Sequence, residues 1–163
     1  MTDRIDTLRA APVARAPLPP ALPSADTFRR LEDIALFEMN LGYRVSGGLI
    51  EGNEFAQRLR AHHDQPVSLL ARWIVAREVV VIDWRGSILL PAFQLARGDT
   101  GIRPVVRDVL AELRDVFEDG EIAPWFIRAN AWLANARPLD RLEVDERAVV
   151  AAARADRFVA GGG

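Results

Sequence analysis

One stretch limits the folds open to this chain more than any other. From Val79 to Trp84 every residue except Asp83 is β-branched or aromatic, and Arg85-Gly86 then leads into Ser87 to Leu90. Such residues suit a pleated surface, and two such runs around a short glycine-containing turn read as a β-hairpin. Gly86 can supply the positive φ that the turn requires. Pro91 cannot donate a ladder hydrogen bond, so the second strand should end there or lie at an edge. On either side of this segment the apolar residues follow a helical period. The expected fold is therefore mainly α, a helical domain with one β-hairpin.

After Ser24, the residues Phe28, Leu31, Ile34, Ala35, Phe37 and Leu41 recur at helical spacing, with Gly42 as a stop. Ser46 to Gly52 reads as a turn region. Glu54 to His62 reads as a short helix with Phe55 and Leu59 inward. Pro66, suited to a first helical position, opens a third helix reaching Arg77 through Leu69, Leu70, Trp73, Ile74 and Val75. Pro104 opens an amphipathic helix in which Val106, Leu110, Leu113 and Phe117 fall on one face. Asp119-Gly120 breaks it, and Glu121 to Arg128 forms the next helix. Asn130 to Arg137 reads as a loop, Pro138 to Leu142 as a short turn, and Asp145 as the N-cap of a last helix reaching Phe158.

Five of the ten prolines, Pro12, Pro17, Pro19, Pro20 and Pro23, precede all of this and read as an extended, flexible arm. The chain thus divides into an arm over 1–24, a helical region with the hairpin over 25–97, and a C-terminal helical region over 98–160. Half of its 163 residues are hydrophobic, enough for a sizeable core. No apolar run near the N-terminus has signal-peptide or membrane-spanning length, so the default location is the cytoplasm, without membrane contact.

The residue inventory argues against catalysis. There is no cysteine, and the only histidines are the neighbours His62 and His63. Adjacent side chains on a helix diverge and chelate poorly, so this pair reads as an exposed helix end. Gly47-Gly48 and Gly52 do not match the spacing of a phosphate-binding loop. The carboxylates Glu112, Asp115, Glu118, Asp119 and Glu121 read as the solvated face of an amphipathic helix and its cap. The expectation is a non-enzyme with no cofactor and no metal.

Nucleic-acid binding has a stronger pattern, because helix, turn, helix and hairpin in that order is how a winged helix-turn-helix reads. The helix from Pro66 offers Arg72 and Arg77 as candidate DNA contacts, but few other base-edge readers. The formal charge is -2 overall. Residues 45–97 hold six arginines against five acidic residues, a balance of +1 and far from a basic footprint. A degenerate, helix-turn-helix-like region with at most weak promoter binding fits this balance.

The charge is unevenly spread. Residues 98–146 hold six arginines against eleven acidic residues, a balance of -5, whereas 147–163 hold three arginines against one aspartate, a balance of +2. On the last helix, Arg147, Arg154 and Arg157 fall within about 80° of one another, and Val149, Ala152 and Ala153 make a small-residue face. An arginine stripe can grip carboxylates or phosphates. Trp125, Phe126 and Trp132 read as core aromatics, and Asn130 and Asn135 suit a tight connection.

In order and spacing, several of these pieces resemble the Xre/MbcA/ParS antitoxin family. They are the string from Val79 through Trp84 to Gly86; Leu90-Pro91-Ala92-Phe93-Gln94-Leu95; Trp125-Phe126-Ile127 with Asn130, Trp132-Leu133 and Arg137-Pro138-Leu139-Asp140-Arg141-Leu142; and Val149 to Phe158. The resemblance covers roughly two thirds of the chain. It implies a member of a type II toxin-antitoxin module that neutralises an NAD-degrading RES-domain toxin by covering the toxin's active-site cleft with its C-terminal domain. It also implies a homodimer, for which Phe28 to Leu41 is the apolar helix available. On this reading Arg154, Arg157 and Phe158 contact the toxin, with Arg147 at the rim. The alternatives are a DNA-binding autoregulator and an orphan interaction domain without a toxin.

Overall fold

The computed structural model describes residues 24–162. The proline-rich arm, apart from Ser24, lies outside the described residues. Seven α-helices and one three-stranded antiparallel sheet are present among them, so the fold is mainly α. None of these helices is long and apolar enough to cross a membrane.

Ser24 caps α1 (Ala25–Tyr43), its Oγ accepting from the Thr27 backbone N–H at 3.3 Å. The helix runs through Gly42 and does not stop there. Gly42 serves a close approach instead, because a Cβ at this position would sit 2.7 Å from Cδ1 of Ile127. A 3-10 turn, Arg44–Ser46, then leads to Gly47, whose φ of +101° ends the helical path. Tyr43 is fully buried, and its hydroxyl donates to the Ala123 carbonyl. Burial raises the pKa of this phenol above its ordinary value.

The turn region holds a strand that the sequence pattern did not announce. β1 (Leu49–Glu51) pairs antiparallel with β3 (Ser87–Pro91), which also pairs with β2 (Ile82–Trp84). The expected hairpin is therefore present and gains a third strand. β3 is the central strand, and Pro91, at its last position, lies opposite Leu49. The hairpin turn places both Arg85 (φ +50°) and Gly86 (φ +83°) in the left-handed region, as a two-residue type I′ turn requires.

β2 begins only at Ile82, although Val79, Val80 and Val81 are buried. The reason is Gln94, fully buried just beyond β3. Its Oε1 accepts from the Val80 N–H at 2.8 Å, and its Nε2 donates to the Val80 carbonyl at 3.0 Å. One side-chain amide thus stands in for a neighbouring strand and satisfies backbone groups that would otherwise be buried unpaired.

Between the strands lie α2 (Gly52–Leu59), burying Phe55 and Leu59, and α3 (Pro66–Val75), burying Leu70 and Trp73. Beyond the sheet come α4 (Pro104–Leu113), α5 (Asp119–Ile127), α6 (Pro138–Arg141) and α7 (Glu146–Ala160). Gly120 lies inside the first turn of α5, so the break falls before it. The Glu118 N–H donates to the Glu121 carboxylate at this start. The stretch expected as a loop after α5 contains a 3-10 turn, Ala131–Leu133, followed by Ala134 and Asn135 at φ of +54° and +62°.

The core is continuous from the sheet to the C-terminal helices. Phe93 stacks on Tyr43 at 5.5 Å and packs on Phe126 at 5.0 Å, which meets Trp125 edge-on at 5.1 Å. These aromatics join the end of α1, the segment after β3 and α5.

Candidate partner-binding face

The last helix starts where Asp145 accepts from the Ala148 N–H at 3.0 Å. Val149, Ala152 and Ala153 face inward and are buried, and α7 packs on α4, whose Val105, Val106, Val109, Leu110 and Leu113 are also buried. Small residues let the two backbones approach closely, which fixes α7 on the body. At 100° per residue, Arg147, Ala151, Arg154 and Phe158 then fall within about 60° of one another on the opposite side. All four are exposed, and Phe158 keeps 69% of its surface.

Two arginines of the predicted stripe already have a partner. Arg154 donates through Nε and Nη2 to Oε1 of Glu112, at 2.9 and 2.8 Å. Arg157 Nη1 stands 2.6 Å from Oε2, a charge contact in which no N–H is aligned with the oxygen. Glu112 is only 13% exposed, so it departs from the expectation of a solvated carboxylate. Asp115, Glu118, Asp119 and Glu121 are exposed as expected. Holding both guanidiniums on α4 removes rotamer freedom that a partner would otherwise have to freeze. Arg154 keeps Nη1 for a further anion.

A second feature, on the side of α7 turned away from this stripe, was not singled out from sequence. Asp156 accepts from Trp125 Nε1 at 2.8 Å, from Asn130 Nδ2 at 2.7 Å and from Trp132 Nε1 at 2.9 Å. Asn130 is buried and returns its own Oδ1 to the Trp132 N–H at 2.9 Å. Trp132 was expected in the core, yet it is 58% exposed. Its ring is fixed at the surface by the indole N–H, which makes it a rigid aromatic on an outer face. The available signal was Asp156 itself, the only acid among the arginines after residue 146.

The remaining motif residues are mostly structural. Pro91, Phe93, Gln94, Phe126, Leu133, Pro138 and Leu142 are buried, and Trp125 is half-buried. Trp84 is half-buried under the Arg85 guanidinium, 4.5 Å from its ring centre. Arg103 ties the start of α4 to the end of α6, donating to Glu143 Oε1 at 2.5 Å and to the Leu142 carbonyl at 3.3 Å. Arg137 grips Asp140 with two hydrogen bonds, which holds the Asp140 carboxyl below its ordinary pKa.

The two candidate DNA contacts separate. Arg72 is exposed on α3. Arg77, at φ +53°, donates to the carbonyls of Arg114 and Phe117 and to the Asp119 carboxylate. It closes the C-terminal end of α4 and is committed there, which leaves α3 with one exposed arginine. His63 sets Nε2 3.0 Å from the Thr100 carbonyl with its ring edge-on to Trp73, while His62 is exposed. Comparison with protein-family models, curated proteins and solved structures finds no match to this chain.

Proposed function

We propose that the chain is a non-enzymatic, antitoxin-like protein of the cytoplasm that neutralises an NAD-degrading RES-domain toxin, using the outer face of α7 to cover the toxin's cleft. The observation that carries this reading is the exposed stripe of Arg147, Ala151, Arg154 and Phe158 on a helix whose other face is locked to the body. Arginines bind carboxylates or phosphates bidentately, and an exposed phenylalanine one turn beyond Arg154 supplies apolar anchorage. In a cleft that handles NAD, Phe158 takes the place of an aromatic ring, and the arginines pair with carboxylates of the toxin itself. The resemblance of the strings around Phe93-Gln94, Trp125-Phe126 and Pro138 to the antitoxin family supports the same reading. An autonomous DNA-binding regulator is less well supported, because Arg77 is occupied.

The decisive assay combines the purified chain with a purified RES-domain toxin, taken from the neighbouring gene if one is encoded there, and follows NAD consumption. The intact chain should suppress consumption at near-equimolar ratio. Arg147→Glu, Arg154→Gln and Phe158→Ala together should restore it while circular dichroism and thermal unfolding stay unchanged. Point changes are preferable to removing residues 154–163, since truncation also deletes Asp156 and frees Trp125, Asn130 and Trp132. Full suppression by the triple variant would overturn the α7 assignment. The absence of any suppression by the intact chain would favour an orphan interaction domain.

A further inference from the structure

We infer that the proline-rich arm is itself a ligand of the body: Pro12 to Pro23 folds back along one flank of α1 and seats Pro17 in the groove between α1 and α5. That flank is a continuous seam. Phe28, Leu31, Ala35, Met39 and Gly42 fall within about 80° of one another on the wheel. At its C-terminal end the seam meets α5, where Ile127 lies against Gly42. A groove of about 450 Å³ opens there, with Ala35, Met39 and Gly42 on one wall and Gly120, Pro124 and Ile127 on the other. Further toward the start of α1, Phe28 and Leu31 keep 50% and 54% of their surface among the described residues. Residues 24–35 are all exposed. A helix end of about a dozen unsupported residues is marginal in water, and its apolar flank needs a cover.

The arm has the chemistry and the length to fill this seam. Pro12 to Pro23 holds five prolines, six other apolar residues and a single charge, Arg15. A proline-rich strand is pre-set in the polyproline conformation and docks in apolar grooves at small entropic cost. Pro17, Pro20 and Pro23 recur every three residues, the period of that conformation, so they share one edge and step by about 9.3 Å. Phe28, Ala35 and Gly42 recur every seven residues, a step of about 10.5 Å along α1. Over two steps the ladders differ by only about 2.4 Å. Ser24 fixes where they start. It is the N-cap, in extended backbone, so Pro23 and Phe28 hold the positions that pack together as a hydrophobic staple and set the angle at which a chain enters its helix. With Pro23 on Phe28, Pro20 comes level with Ala35, whose small side chain leaves room for the ring. Pro17 then reaches the groove between Met39 and Gly42, facing Pro124.

The full chain has no cysteine, so a pair of introduced thiols reports a single contact. Pro20→Cys with Ala35→Cys should close an intramolecular disulfide under mild oxidation. Pro20→Cys with Phe37→Cys should close roughly tenfold more slowly, because Phe37 lies about 160° round the helix from Ala35. Trypsin gives a non-covalent reading. In the intact chain, cleavage after Arg9, ahead of the docked segment, should be fast and cleavage after Arg15 slow. Ala35→Glu puts a charge beneath Pro20 and should speed cleavage after Arg15 roughly tenfold, leaving cleavage after Arg9 and the thermal unfolding of the body unchanged. Equal closure of the two thiol pairs overturns the inference, as does an Arg15 site cut at the same rate in the intact chain and in Ala35→Glu. A covalent dimer as the main product of the Pro20 and Ala35 pair also overturns it and assigns the seam to a second copy.

Discussion

The first and last helices are both long and amphipathic, yet the fold secures them differently. α7 is capped by Asp145, seated on α4 through Val149, Ala152 and Ala153, and tied sideways by Arg154 and Arg157 to Glu112 and by Asp156 to three N–H donors. α1 has its Ser24 cap, exposed ion pairs from Arg29 to Asp26 at 3.9 Å and from Asp33 to Arg85 at 2.8 Å, a polar tie from the Tyr43 hydroxyl to the Ala123 carbonyl at its buried end, and apolar contacts confined to its C-terminal half. Exposed ion pairs contribute little, so the projecting half of α1 depends on apolar cover. A helix fixed by polar ties presents a rigid, preorganised face. A helix fixed by one apolar side still has a second apolar side to bury.

The comparison breaks first at the α4–α7 seam. Ala153 is fully buried there, and a leucine has no space without moving one backbone from the other. Ala153→Leu should cost about 3 kcal/mol, the upper part of the range for overpacking. Chemical denaturation measures this directly. A loss below about 0.5 kcal/mol, the scale of a neutral surface change, would show that α7 is looser than its partners imply.

This contrast was partly legible in the sequence. The periods of α1, α4 and α7, the Asp145 cap and the Gly86 turn are all local signals. The small face of Val149, Ala152 and Ala153 was also readable. Gln94 was quoted as part of a motif, but nothing local says that its amide replaces a strand beside Val80, because the two lie fourteen residues apart. β1 escaped notice because a three-residue strand among glycines has no period. Glu112 looked like a surface acid since its partners lie 42 and 45 positions away on another helix. Trp132 looked like core because indole size suggests burial, whereas its N–H found Asp156 and left the ring outside. The misses share a cause: each depends on a polar partner distant in sequence.

The second test addresses the polar ties. Asp156→Ala removes one carboxylate from three donors, and the Asn130 amide is left in a buried position. The expected loss is about 2 kcal/mol, since a buried donor without a partner costs about 1–3 kcal/mol while the two indoles can turn to water. Indole emission should also change, because Trp132 would no longer be held. Equal stability with unchanged emission would remove Asp156 as the anchor of Trp125, Asn130 and Trp132. Asp156→Asn separates charge from shape, since one amide oxygen cannot accept from all three donors, and it should fall between the wild type and the alanine variant.

The smallest effect falls on the close seat of α1 against α5. A Cβ at Gly42 would lie 2.7 Å from Cδ1 of Ile127 and 3.1 Å from its Cβ. Gly→Ala inside a helix ordinarily gains about 1 kcal/mol, so the clash must exceed that gain before any loss is seen. Because the Ile127 Cβ cannot rotate away, Gly42→Ala should be destabilising by about 1 kcal/mol net, on the scale of modest overpacking. Ile127→Val removes Cδ1 and should recover part of the loss when combined with Gly42→Ala, a coupling that independent sites would not give.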